Sequence, residues 1–262
     1  EKTFDNVRTQ VPFSRASAVD LFEIVELWKD WLTQEAFESL PKRNCPTCGA
    51  NKNSFLFKSY DQYPFHICDL CQTWYVPYAI TMEFIEKFFL DRPEAALQAR
   101  KMGETRFEVA GETDQQRFDV YLNLIEEAVG KENRLSYFDV GCGVGHSLVA
   151  AKKRGWNVMG VDQNSYAITL AKTAGLHAFH SDEAPDNVTF DIISLFETLE
   201  HVTDPRSLLK TLYPKLKAKG LLILTVPNKK SWEISVLRQN SFHVFGGAEE
   251  VGHINLFDNE SL

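Results

Sequence analysis

Apolar residues recur at three- and four-residue spacing from Ala16 to about Leu40, with Leu21, Ile24, Val25, Trp28, Trp31 and Leu32 set among charged neighbours. That period predicts an amphipathic helix, and Pro41 stops it. The pattern then changes. In "CPTCGANKNSFLFKSYDQYPFHICDLCQTWYV" short aromatic runs lie between cysteine pairs, which predicts short strands. Helical spacing returns from about Thr81 to Val109, interrupted at Pro93, and again from about Thr113 to Val129. Beyond this point strand "SYFDV" precedes turn "GCGVGH" and helix "SLVAAKKRG", and strand "NVMGVD" precedes helix "SYAITLAKTAG". A short "HAFH" run leads into the acidic turn "SDEAPDN". Strand "FDIISLF", helix "PRSLLKTLYPKLKAKG" and strand "LLILTVP" follow. Near-continuous apolar strands alternating with helices predict parallel strands covered on both faces, an α/β fold. The expected segments are therefore a helical stretch over 1–40, a cysteine-bearing ribbon over 41–78, a helical linker over 79–111 and an α/β domain over 112–262.

Charge narrows the partners. Among 262 residues, 28 Lys and Arg face 36 Asp and Glu, a net charge of −8. Such a balance counts against nucleic acid as a general partner, because phosphate binding needs a positive surface. There is no apolar run long enough to predict a membrane span, and "EKTFDNVRTQ" does not read as a signal peptide.

Four of the five cysteines form two C-x-x-C pairs, Cys45 with Cys48 and Cys68 with Cys71. This spacing fits a four-thiolate zinc site in a reducing compartment such as the cytoplasm, rather than a disulfide framework. Four cysteines leave no open coordination position, so the zinc is expected to be structural. Two unrelated turns with free thiols are the alternative, and His66 is the nearby histidine able to substitute as a ligand. Lys42, Arg43, Lys52 and Lys58 make the ribbon locally basic, and Phe55, Phe57, Tyr60, Tyr63, Phe65, Trp74 and Tyr75 make it aromatic. Those aromatics suit the module's own core better than a nucleobase or sugar-nucleotide surface.

The turn "GCGVGH" carries glycines at 141, 143 and 145, which permit a tight turn and close approach of a ligand to the backbone. Asp162 ends the next strand, where a carboxylate can accept hydrogen bonds from ribose hydroxyls. The dinucleotide fingerprint G-x-G-x-x-G would place its third glycine at position 146, which is His146. No phosphate-loop lysine follows either.

With these motifs in order, "FDVGCGVGHSLVAAKKRGWNVMGVDQN" resembles the first two motifs of class I S-adenosylmethionine-dependent methyltransferases. "FDIISLFETLEHVTDPRSLLKTLYPKLKAKGLLILTVPN" resembles their fourth and fifth strands with the helix between, and "GHINLFDNESL" continues the likeness. The resemblance implies a Rossmann-like, doubly wound, mainly parallel sheet and S-adenosyl-L-methionine as cofactor. It implies that Asp139 and the backbone of Gly141, Cys142 and Gly143 line the amino-acid part of the cofactor, with Gly145 also in the cofactor-binding turn. Asp162 would hold the ribose, with Gln163 beside the adenine and Asp182 and Glu183 at the adenine edge. Phe196 and Glu197 would floor the site near the sulfonium. Cys142 reads as packing, since methyl transfer needs no enzyme nucleophile.

The order of ribbon, helices and this domain resembles bacterial enzymes of sugar and polysaccharide modification and C-methyltransferases of nucleotide-linked sugars. A small polar acceptor such as a sugar nucleotide follows, with O- or C-methylation open. An RNA methyltransferase and a non-catalytic, cofactor-binding scaffold are the alternatives. "FETLEHV" brings Glu197, Glu200 and His201 past the fourth strand; if helical, 197 and 201 share a face. His201 is a candidate general base. The segment also resembles quinone O-methyltransferases in which two glutamates and a histidine bind a divalent metal, and a packing role is the third reading. His253 in "GHINLF" is preferred to His243 in "SFHVFGG" as the second candidate catalytic group. Two further strands are usual in this family after the fifth. The final Asp258, Asn259, Glu260 and Ser261 read as a helix N-cap, so the chain is expected to continue.

Overall fold

The computed structural model describes residues 18–97, 111–130, 134–238 and 252–262. The labelled elements are α1 (Ala18–Trp31), α2 (Gln34–Glu38), β1 (Asn53–Lys58), β2 (Pro64–Cys68), β3 (Trp74–Tyr75), α3 (Met82–Asp91), α4 (Gly111–Val129), β4 (Ser136–Val140) and α5 (His146–Lys153). There follow β5 (Asn157–Asp162), α6 (Ser165–Thr173), β6 (Ala178–His180), β7 (Phe190–Phe196), α7 (Pro205–Leu212), β8 (Leu216–Thr225), α8 (Trp232–Leu237) and β9 (Asn255–Leu256). Packing groups them in two compact units. One takes residues 103–196 and 210–225, the other 17–102, 197–209 and 226–262. The linear boundary at 112 therefore differs from the packing, because β9 pairs antiparallel with β3 in the ribbon's sheet.

The ribbon unit holds a four-stranded sheet in the order β1-β2-β3-β9. Its core is aromatic: Trp28, Phe37, Tyr63, Phe65, Phe84 and Phe88 are buried together. Trp28 meets Phe88 edge to face, with centroids 4.9 Å apart. Most ribbon aromatics thus serve the interior, although Phe55 is 60% exposed. The helix expected over Ala16–Leu40 is interrupted. The hydroxyl of Thr33 accepts the Ala36 N–H at 3.2 Å and starts α2 afresh. Beyond α3 residues 93–97 are helical again, and the rest of the expected helix, to Val109, lies outside the described residues.

The other unit holds five parallel strands in the order β6-β5-β4-β7-β8. The chain starts at β4, winds outward through β5 and β6, then crosses to β7 on the other side. That reversal makes the carboxyl ends of β4 and β7 the topological switch point, where open α/β sheets bind ligands. Leu148, Tyr137, Leu122 and Ile192 form the buried centre, and Phe196 stacks on Tyr121 at 5.0 Å. The expected helix from Pro205 to Gly220 is shorter, ending at Leu212. Pro214, in a following 3₁₀ turn, has no N–H to extend the helix, so "LKAKG" joins β8. Among the described residues no helix is long and apolar enough to cross a membrane.

Candidate functional site

The glycine turn leaves β4 at the switch point. Gly141, Gly143 and Gly145 all have positive φ, of 80°, 52° and 90°. Two of them are constrained in different ways. A Cβ on Gly143 would meet nothing within 4 Å, so that side of the turn is open. A Cβ on Gly145 would lie 2.4 Å from Leu176 Cδ1, so the third glycine serves close packing. Asp162 at the end of β5 locks the turn: Oδ2 accepts the Gly143 N–H at 2.7 Å and Oδ1 accepts the Asn164 N–H at 2.8 Å. Cys142 is buried in the core, and a Cβ on Gly160 would lie 2.7 Å from its sulfur. Burial pushes its thiol well above the ordinary range.

The Asp139 carboxylate turns inward. It bonds Ser147 Oγ, and Ser194 Oγ lies 2.6 Å from its Oδ1. Burial raises its pKa to about 7 against the pull of those two hydroxyls. Gln163 is exposed, and its carbonyl oxygen lies 3.1 Å from His180 Nε2. Asp182 and Glu183 are exposed on a 3₁₀ turn after β6. The Phe196 side chain belongs to the core beside Phe118 and Tyr121. Ser147 and Ser194 were not anticipated, yet Ser194 is the lone hydroxyl in the apolar run "FDIISLF". A polar residue in such a strand needs a buried partner.

In the ribbon unit Cys45, Cys48, Cys68 and Cys71 converge, with every sulfur within 4.8 Å of the others. The sulfurs of Cys45 and Cys71 are 3.4 Å apart, those of Cys48 and Cys68 3.6 Å. Zn–S bonds of about 2.3 Å in a tetrahedron require sulfurs about 3.8 Å apart, so the four fit that ion. Each pair sits on the same kind of knuckle. Gly49 N–H reaches the Cys45 carbonyl at 2.9 Å and Gln72 N–H the Cys68 carbonyl at 3.0 Å. Both residues are left-handed, at φ 77° and 61°. His66 instead bonds Asn53 at 2.7 Å through Nδ1.

The segment after β7 is not helical, so the shared face expected for Glu197 and His201 does not form. Glu197 is exposed at φ 51°, and the next residues make turns through His201 N–H to Thr198 C=O and Val202 N–H to Leu199 C=O. The partner His201 gains is His253. Their ring centroids are 4.7 Å apart at 69°. Donor atoms of Glu200, His201 and His253 all lie within 4.8 Å of one another. Three such groups can share a proton or close around a cation. His243 lies outside the described residues.

Glu200 is fully buried, and neither carboxyl oxygen meets a hydrogen-bond donor. Burial, then the Glu197 carboxylate, pushes its pKa well above the usual 4.5. The folded chain thus holds this proton more tightly than the unfolded one. The associated stability is complete below pH 4.5 and falls as pH rises toward the raised value. Glu200→Gln is expected to flatten that fall, and melting temperatures recorded from pH 5 to pH 9 check it.

Two further residues organise this cluster and were not singled out for that role. Arg43 donates to Val76 O, Thr203 O, Ile254 O and Asn255 Oδ1. Asn255 donates through Nδ2 to Leu199 O and Val202 O. No local sequence signal marks either, since their partners are distant in the chain.

The chain is 31% identical over 132 residues to a ubiquinone biosynthesis O-methyltransferase of Leptothrix cholodnii, covering 44% of this chain and 55% of the relative. It is 32% identical over 132 residues to the protein of the same description from Idiomarina loihiensis, covering 44% and 51%. The chain spans about half the length of the curated relatives it matches. Among solved structures, the plantazolicin methyltransferase BpumL in complex with SAH is 17% identical, covers 63% of this chain and 67% of that one, and gives a TM-score of 0.47. A family model described as "Methyltransferase domain" matches residues 113–262. With that match spanning more than half of the sequence, from α4 through the glycine turn to the final residue, the chain belongs to the methyltransferase-domain family.

Proposed function

We propose that the chain transfers a methyl group from S-adenosylmethionine to a hydroxyl of a small polar acceptor. The observation that carries this reading is the turn after β4, left-handed at Gly143, open on that side and held by the Asp162 carboxylate. The cofactor supplies a methyl on a sulfonium, already activated for attack. The S–CH₃ bond breaks as the O–CH₃ bond forms, the electron pair stays on sulfur, and the hydroxyl proton leaves. Lining the cofactor falls to the turn from Gly141 to Gly145 and to Asp162, with Gln163, Asp182 and Glu183 assigned to the adenosine side. Receiving the proton falls to the His201–His253 pair. The curated relatives carry names of O-methyltransferases, which favours oxygen over carbon as acceptor. The sugar-nucleotide expectation rests on resemblance alone, so a hydroxylated aromatic ring is the first class to test.

We also infer a structural zinc on the four cysteines. Their knuckles and mutual distances support it, and free thiols at such spacing suit a reducing compartment.

Calorimetric titration with S-adenosylhomocysteine tests the reading. Asp162→Asn keeps the side chain's shape but removes the charge from its hydrogen bonds, which are worth about 1.5–3 kcal/mol each when ionic. The expected result is affinity weaker by roughly 10–100-fold. Labelled methyl transfer to catechols, sugar nucleotides and RNA then separates the acceptor classes. Equal affinity in the variant, or binding without transfer to any of the three, overturns the assignment as an active methyltransferase.

A further inference from the structure

The β3–β9 pairing and the Val76 N–H bond to Ile254 O at 2.9 Å tie the ribbon to the His253 segment, and one side chain extends that tie to the His201 loop. Arg43 stands two residues before Cys45, and its backbone N–H bonds Pro77 O at 3.0 Å. Its guanidinium reaches three separate segments. Nε donates to Val76 O at 2.7 Å, just past β3. Nη1 donates to Thr203 O at 2.8 Å, two residues beyond His201. Nη2 donates at 2.8 Å both to Ile254 O, next to His253, and to Asn255 Oδ1. Asn255 completes the bridge. Fully buried, it donates through Nδ2 to Leu199 O at 2.9 Å and Val202 O at 2.8 Å, on either side of Glu200 and His201. The network fixes its amide orientation, because a flip would set donors against the guanidinium. The Glu200 carbonyl in turn accepts the N–H groups of Ile254 and Asn255, at 2.8 and 3.1 Å. His201 and His253 are therefore each adjacent in sequence to clamped groups, and the clamp begins at the cysteine ribbon.

We propose that Arg43 is a positioning residue, which with Asn255 fixes the His201–His253 geometry and makes it dependent on the integrity of the four-cysteine centre. Only a planar fork serves this purpose. Lysine is a single donor point on a flexible stem and cannot hold three segments in one geometry. The ribbon is then a buttress for the proton-handling pair, and loss of its metal would be felt at the histidines. The inference rests on the histidine reading above only for its effect on turnover.

The test uses the full, zinc-loaded chain carrying Arg43→Lys or Asn255→Asp. The aspartate keeps an acceptor for Arg43 but withdraws both donors from Leu199 O and Val202 O. Two readouts are taken at equal zinc content and equal S-adenosylhomocysteine affinity. The first is diethylpyrocarbonate modification of His201 and His253, resolved by mass spectrometry. Releasing a clamp is expected to speed it about tenfold, the population change that a net hydrogen-bond loss of about 1.4 kcal/mol produces. The second is methyl transfer, with kcat expected to fall by a similar factor at unchanged acceptor KM. A purely structural role would lower the amount of folded protein without this split. Modification rates within twofold of wild type in both variants overturn the proposal. If Arg43→Lys fails to retain zinc, Asn255→Asp carries the test, since it leaves the ribbon's own contacts in place. If His201→Gln keeps full turnover, the proton-handling reading fails. The modification kinetics, which need no acceptor, still decide whether the clamp exists.

Discussion

Replacing His201 with glutamine is expected to lower kcat by about 10²–10⁴-fold, the range of a lost general base, with S-adenosylhomocysteine affinity within about twofold of wild type. Glutamine keeps size and hydrogen-bonding capacity but cannot take up a proton. A packing role would therefore tolerate the exchange, and a proton-transfer role would not. The proposed reading is the second. His201 lies against His253 at 4.7 Å between centroids, beside the Glu200 carboxyl, whose pKa burial raises well above the usual 4.5. If the two imidazoles act as one relay, His253→Gln alone costs nearly as much as the double variant. Residues that act as a unit are strongly non-additive. Single-turnover transfer of a labelled methyl group checks this directly, because it isolates chemistry from product release. Additive losses would show two independent roles. Full activity in His201→Gln would return the residue to packing and open the search for another base.

What the sequence conveyed and what it withheld divide along physical lines. Strands β4 and β7 are legible because both faces are buried and the apolar run is nearly unbroken, and β5 because its last three residues are buried in the same way. The glycine turn is legible because positive φ at 141, 143 and 145 favours glycine at those positions. The cysteine pairs are legible because a tetrahedron of thiolates demands short, fixed spacing. The breaks at Thr33 and Pro214 were local signals that a smooth helical period outweighed. The loop from Glu197 to His201 defeats a periodic reading altogether. Its conformation is held by Asn255, which is remote in the chain, and no helix-like spacing reports such a bond. Arg43 is the sharpest case. Beside Lys42 it reads as surface charge on a basic ribbon, and in the folded chain its guanidinium is spent on three carbonyls and an amide. A buried polar network is legible only once both of its ends are known.

Substituting Cys68 with alanine is expected to remove zinc from a chain that otherwise holds about one ion, and to unravel the ribbon sheet. Cys68 is fully buried, and Cys45 and Tyr75 pack around it as a small core of their own. The sheet it supports is slight. β3 and β9 have two residues each, and β2 has five. Strands that short bury too little surface to offset the entropy of ordering them. Structural zinc supplies an apparent stabilisation of about 10–16 kcal/mol in small zinc domains, more than these strands can replace. The aromatic core around Trp28 and Phe88 is a separate cluster and should retain part of the unit. Hydrogen exchange is then expected to lose protection first at Cys68, Trp74 and Tyr75, and later at Ile85 and Phe88. Acidification should imitate the substitution, because thiolates must be deprotonated to bind and protons compete for them as pH falls. Metal analysis and exchange on the same samples check both halves. A variant that keeps its zinc, or a ribbon that keeps its protection without it, would show that the cysteines pack without coordinating. The clamp from Arg43 to the histidines would then draw its rigidity from the aromatic core and not from a metal.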